Sequence, residues 1–167
     1  LGSRGLGDVY KRQLLAEGIT KLQAALLADK SLDRAEKVLE DCARDGQFLL
    51  TMDDAGYPAR LRNIYDPPLL LYGKGSLPLF DDEVAVTVVG TRDCTPYGVR
   101  AASQLGYELA RQGALLVSGM AKGIDGAAMR GALQAGGFTA AVLGGGVDVV
   151  YPAENRRLYE DIAATGV

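Results

Sequence analysis

The chain contains no histidine. That removes Ser–His and Cys–His nucleophile pairs and every histidine-containing metal site. Any catalysis would rest on carboxylates, lysine, tyrosine or a bound cofactor, and neither a metal nor a cofactor is expected. Cysteine is scarce. Cys42 and Cys94 lie far apart and make neither metal-ligand spacing nor a disulfide framework, so a reducing cytoplasm is the expected location. No run of about 18 apolar residues occurs, so no membrane span is expected. No basic stretch followed by an apolar core opens the chain, and no secretory signal is read. A basic excess is missing too. The formal net charge is −3; residues 1–83 carry 11 Lys/Arg against 14 Asp/Glu, and residues 84–167 carry 7 of each. Nucleic-acid binders usually show such an excess, so binding of that kind would need a local patch aided by uncharged backbone donors.

What is present is enough for a core: 48% of the 167 residues are apolar and 23% are charged. That length suits one domain, or one with a small appendage. Residues 1–13 lack a helical or strand period and are expected to be a non-native leader. The chain ends as abruptly as it starts, and a fragment is expected. Residues 14–47 form a small helical domain in this reading. Leu14, Leu15, Ile19, Leu22 and Leu26 recur at helical spacing. Ser31 is an N-cap candidate for a second helix carrying Leu32, Ala35, Val38, Leu39 and Cys42, with Gly46 as its stop. A short strand at 48–51, a helix entered through Pro58 and a strand at 69–72 follow.

From residue 84 the pattern becomes regular. Apolar strands are expected at 84–89, 114–117 and 138–143, with helices at 97–112 and 124–135 between them. This alternation predicts a parallel sheet covered by helices. Ligands of such sheets bind at the carboxyl ends of the strands. Three glycine-rich segments sit there: Gly90-Thr91-Arg92, Ser118 to Gly123, and Gly144-Gly145-Gly146.

The segment Ser118-Gly119-Met120-Ala121-Lys122-Gly123-Ile124-Asp125 is the sharpest signal. A small-residue turn between strand and helix presents backbone N–H groups, and the helix N-terminus adds partial positive charge. Lys122 adds a full charge and has no obvious structural need. Ser118 could donate to a phosphate or merely cap; Asp125 is explained by the helix dipole. Arg92 offers a planar fork for phosphate oxygens, although a solvated arginine at a strand end would look the same. Thr95 before Pro96 reads as a helix cap. Tyr97 could stack on a base or simply pack. The three glycines at 144–146 could form an anion nest or a plain turn. Asn155 is a good N-cap for the last helix, and capping alone would explain it. The segment matches neither a Walker loop nor Gly-x-Gly-x-x-Gly.

Taken in order, the blocks Tyr57-Pro58 to Leu61, Pro67 to Gly75, Val88-Val89-Gly90-Thr91-Arg92, Tyr97-Gly98, Ser118 to Asp125, Ala132-Leu133, Val142 to Asp148 and Tyr151-Pro152-Ala153-Glu154-Asn155 resemble the DprA/Smf family of bacterial DNA-processing proteins. The resemblance spans roughly residues 14–167. It implies a Rossmann-like α/β domain over 48–167, with helices on both faces of its parallel sheet and incomplete at its C-terminus. It also implies binding of single-stranded DNA, loading of RecA during natural transformation, and no catalysed reaction. Carried onto this sequence, Arg92, Ser118, Gly119, Lys122 and Gly123 would line a phosphate pocket, with Arg130 and Asn155 as neighbours. Met129 stands where the family usually has histidine. Homodimerisation is implied for the complete protein, through a part expected to lie past residue 167. The alternative is an enzyme acting on a nucleoside monophosphate, for which Asp125, Asp148 and Glu154 are the reachable carboxylates. A third reading is a scaffold that holds partners through its N-terminal helices.

Overall fold

A computed structural model describes residues 18–29 and 31–167. The expected leader, and Leu14 and Leu15 of the first expected helix, lie outside them. The chain divides between Asp41 and Cys42 into two compact units. In the first, helix α1 (Lys21–Ala28) opens with a capping box: the Gln23 N–H donates to the Thr20 hydroxyl at 3.3 Å, and the Thr20 N–H donates to the Gln23 side chain at 3.0 Å. Helix α2 (Asp33–Arg44) starts two residues after Ser31, whose hydroxyl accepts from the Asp33 N–H at 3.2 Å. Ser31 therefore satisfies one free amide of the first turn from just outside the helix. The leucines expected to form an apolar face, Leu22, Leu26, Leu32 and Leu39, are all exposed.

In the second unit, strand β1 (Gln47–Thr51) follows the last turn of α2 and is antiparallel to β2 (Leu70–Lys74), with Gln47 opposite Lys74 and Thr51 opposite Leu70. The connection between them carries the short helix α3 (Ala59–Arg62). Its first amide, on Ala59, donates to both carboxylate oxygens of Asp81. Tyr57 is almost wholly buried, and its hydroxyl donates to the Pro68 carbonyl at 2.7 Å. The Tyr57-Pro58 and Pro67-Pro68 blocks are thus two halves of one contact. Asp54 accepts from both the N–H and the hydroxyl of Thr51, and these bonds hold its carboxyl below the usual range.

The parallel sheet has the order β3 (Ala85–Thr87), β4 (Leu115–Ser118), β5 (Thr139–Ala141). Ala85 pairs with Leu115, and Leu116 with Thr139. The strands are shorter than their apolar runs. Beyond each end a single bond continues the pairing, Val88 N–H to Val117 and Val142 N–H to Ser118, before the backbone turns into a glycine-rich segment. Helices α4 (Pro96–Arg111) and α5 (Ile124–Gln134) are the crossovers, and α6 (Arg156–Thr165) packs on α5 and β5. The Rossmann-like α/β class expected from the sequence is the class found. Thr95 caps α4 as expected, accepting from the Gly98 N–H at 3.2 Å.

Two glycines bring α4 and α5 together. A Cβ on Gly106 would lie 2.0 Å from the Ala128 carbonyl oxygen, and one on Gly131 would lie 2.0 Å from that of Ser103. Only hydrogen fits at either crossing point. The core beneath is built from Leu116, Met120, Ala127, Ala128, Met129, Ala132, Leu158 and Ile162. Burying a leucine or methionine of this kind stabilises the fold by about 1.5–3 kcal/mol. Met129 is fully buried, so this position is apolar core here. Among the described residues no helix is long and apolar enough to cross a membrane.

Candidate functional site

The segments leaving β3 and β4 are locked to each other at the carboxyl end of the sheet. The Gly90 N–H donates to the Asp125 carboxylate at 3.0 Å, and Asp125 is buried. The Ile124 N–H donates to the Thr91 carbonyl at 3.3 Å. Gly123, the N-cap of α5, has φ 88° and ψ −128°, a conformation open to glycine and strained for other residues. A Cβ there would stand 2.3 Å from the Thr91 carbonyl oxygen. Asp125 therefore does more than complement a helix dipole: it holds the first glycine segment against the second.

Met120 has φ 53°, the one positive φ outside glycine among the described residues. Such a residue costs of order 1–3 kcal/mol. Two contacts offset it. The side chain is buried in the core, and Asn155 donates its amide to the Met120 carbonyl at 2.8 Å. The Asn155 oxygen accepts from the Arg130 guanidinium at 3.1 Å. Asn155 precedes α6 but makes no side-chain capping bond. The sequence reading of it as a cap is corrected: it is a buried clamp that fixes the Met120 turn and aims Arg130.

Arg92 and Lys122 are exposed, and neither has an ion-pair partner among the described residues. They stand between two clefts and line both. The first, of about 490 Å³, is completed by Asp93, Cys94, Thr95, Val99, Gly123 and Arg130. The second, of about 560 Å³, is completed by Gly119, Ala121, Leu143, Gly144, Gly145, Val149, Tyr151, Pro152 and Glu154. Three cations thus face two carboxylates, Asp93 and Glu154, and the local balance is positive although the whole chain is acidic. A phosphate placed between Arg92 and Lys122 would meet two charges from two separate loops at the N-terminal end of α5, where the helix dipole adds to them.

The other expected residues divide. Gly119 and Gly123 lie on the clefts. Ser118 does not: it is buried, and its hydroxyl donates to the Val88 carbonyl at 2.7 Å. It fastens β4 to the end of β3. Tyr97 is exposed but lines neither cleft. Gly144, Gly145 and Gly146 all lack a positive φ, so the alternating-handed anion nest is not built there. Their loop is held instead by Tyr159, whose hydroxyl donates to the Val147 carbonyl. Burial first, and the Asp148 charge second, push the Tyr159 hydroxyl above its usual pKa. Tyr151, which had no role in the sequence reading, is the aromatic side chain on the second cleft. Its signal was position alone, next to Pro152 and just past three glycines. Among the described residues no cluster of three metal-ligating side chains occurs.

The family model for DNA recombination-mediator protein A matches residues 48–167. The chain belongs to that family. It is 36% identical over 127 residues to the DNA processing protein DprA of Bacillus subtilis, covering 76% of this chain and 43% of that protein. Among solved structures it resembles DprA from Streptococcus pneumoniae, with a TM-score of 0.66 and 29% identity over 96% of this chain and 60% of the other. It also resembles DNA processing protein A from Helicobacter pylori, in a structure concerned with that protein's single-stranded DNA binding mode. There the TM-score is 0.61 and the identity 33%, over 70% of this chain and 52% of the other. The chain spans less than half the length of the curated DprA and Smf relatives it matches, 33–43% of each.

Proposed function

We propose that this chain binds single-stranded DNA through its phosphates, with Arg92, Lys122 and Arg130 as the charged contacts and the amides of Gly119 to Gly123 as uncharged ones. The observation that carries this is the convergence of Arg92 and Lys122, unpaired, between two clefts at the strand ends. Phosphate contacts of this kind position a strand without reading its sequence. Residues 48–167 are the DNA-binding domain in this reading, and residues 14–47 a helical domain before it. The complete protein acts as a homodimer that supports RecA loading during DNA uptake, in line with its membership of a recombination-mediator family. The role is binding rather than catalysis. Asp125, the carboxylate in the phosphate loop, is buried and committed to the Gly90 amide.

Salt dependence tests the phosphate contacts. Each neutralised phosphate of a single strand contributes about −0.7 to the slope of log Kobs against log salt, so three cations predict a slope of roughly −2. Fluorescence anisotropy of a labelled oligo-dT across a salt series measures it. A slope near zero would refute the phosphate contacts.

A further inference from the structure

We infer that Asn155 is a positioning residue for DNA binding: it touches no phosphate, and its amide ties Arg130 to the loop that carries Lys122. This rests on the phosphate-binding reading above. Asn155 is 3% exposed and lines neither cleft. Its side chain has a donor end and an acceptor end, and both are used. The nitrogen donates to the Met120 carbonyl at 2.8 Å and to the Ala121 carbonyl at 3.4 Å; the oxygen accepts from the Arg130 guanidinium at 3.1 Å. A carboxylate in its place would be an acceptor only and would turn a charged oxygen on two carbonyls. Helix α5 makes room for the arrangement. A Cβ on Gly126 would stand 3.2 Å from both the Asn155 amide nitrogen and Arg130 Nη2, so glycine there lets the two side chains lie against the start of the helix. The bond to Asn155 is the only one that the Arg130 side chain makes among the described residues. It engages one guanidinium nitrogen and leaves other donors for a phosphate. Without it a long, rotamer-rich side chain must be ordered each time a strand binds, and that ordering weakens binding. The segment after the third glycine run thus serves the first two through a buried amide.

A double-mutant cycle read by oligo-dT anisotropy tests this. Asn155→Ala is made in the wild type, in Arg130→Ala and in Arg92→Ala, and each protein is assayed well below its own melting temperature. Ordering one such side chain costs about 2- to 10-fold in affinity, so Asn155→Ala should bind that much more weakly than the wild type. The loss should shrink in the Arg130→Ala background, where no guanidinium is left to aim, because groups in contact couple. It should persist undiminished in the Arg92→Ala background, which leaves the Asn155–Arg130 bond in place. A residue that only stabilised the fold would show neither pattern. Asn155→Ser, too short to bridge Met120 and Arg130, takes the place of the alanine variant if that one does not fold. Wild-type affinity in the folded Asn155 variant, or an equal loss in all three backgrounds, would overturn the inference while a steep wild-type salt slope kept the phosphate reading. A wild type with no salt slope would overturn the phosphate reading, and this inference with it.

Discussion

Replacing Arg92 and Lys122 together by alanine should weaken binding of oligo-dT by at least about 100-fold and leave the melting temperature nearly unchanged. The two halves of this expectation have separate causes. Each side chain is exposed and unpaired among the described residues, so truncation removes no hydrogen bond or ion pair; surface changes of that sort usually stay within about 0.5 kcal/mol. A charge-assisted hydrogen bond to phosphate contributes about 1.5–3 kcal/mol. Two of them amount to about 3–6 kcal/mol, and every 1.4 kcal/mol is tenfold in affinity. Anisotropy titration beside a thermal melt checks both halves. Wild-type affinity in a folded double variant would remove the site from this place.

Gly123→Ala should destabilise the protein by roughly 3 kcal/mol and abolish binding with it. The added methyl meets two obstacles. It would stand 2.3 Å from the Thr91 oxygen and 2.7 Å from the Arg92 oxygen, both of them backbone atoms that no rotamer change can move. It would also have to adopt φ 88°, a strained value for an L-residue. Relief requires the Gly90–Arg92 segment to part from the N-terminus of α5. That breaks the Ile124-to-Thr91 bond and separates Arg92 from Lys122. Urea unfolding and anisotropy on the same preparation measure the two effects. A variant as stable as the wild type would show that this close approach does not hold the two loops together.

The sheet was legible because its signal is repetitive: three apolar runs, two helical periods and glycines at regular places. The strands are shorter than their apolar runs because the backbone turns into a glycine-rich segment at their ends, where Val89 and Val142 stay exposed. The charged residues of the candidate site stand out in the sequence for a simple reason. Lys122 has no structural partner, and a cation without structural use stands out in a glycine-rich loop. Ser118 and Asn155 could not be assigned from sequence. A hydroxyl or an amide suits a phosphate, a helix cap or a buried carbonyl equally well, and only the fold shows Val88 and Met120 as their partners. Tyr151 was missed for the opposite reason: nothing local marks an aromatic residue as lining a cleft whose other wall comes from loops more than twenty residues away.

Binding of oligo-dT against a duplex of equal length, by anisotropy at one fixed salt concentration, tests the central claim most directly. The account predicts that the folded chain binds the single strand at least about tenfold more tightly, because a flexible strand can bend a phosphate in between Arg92 and Lys122 where a stiff duplex cannot. Equal affinity for both forms, or no binding of either by a folded chain, would contradict it.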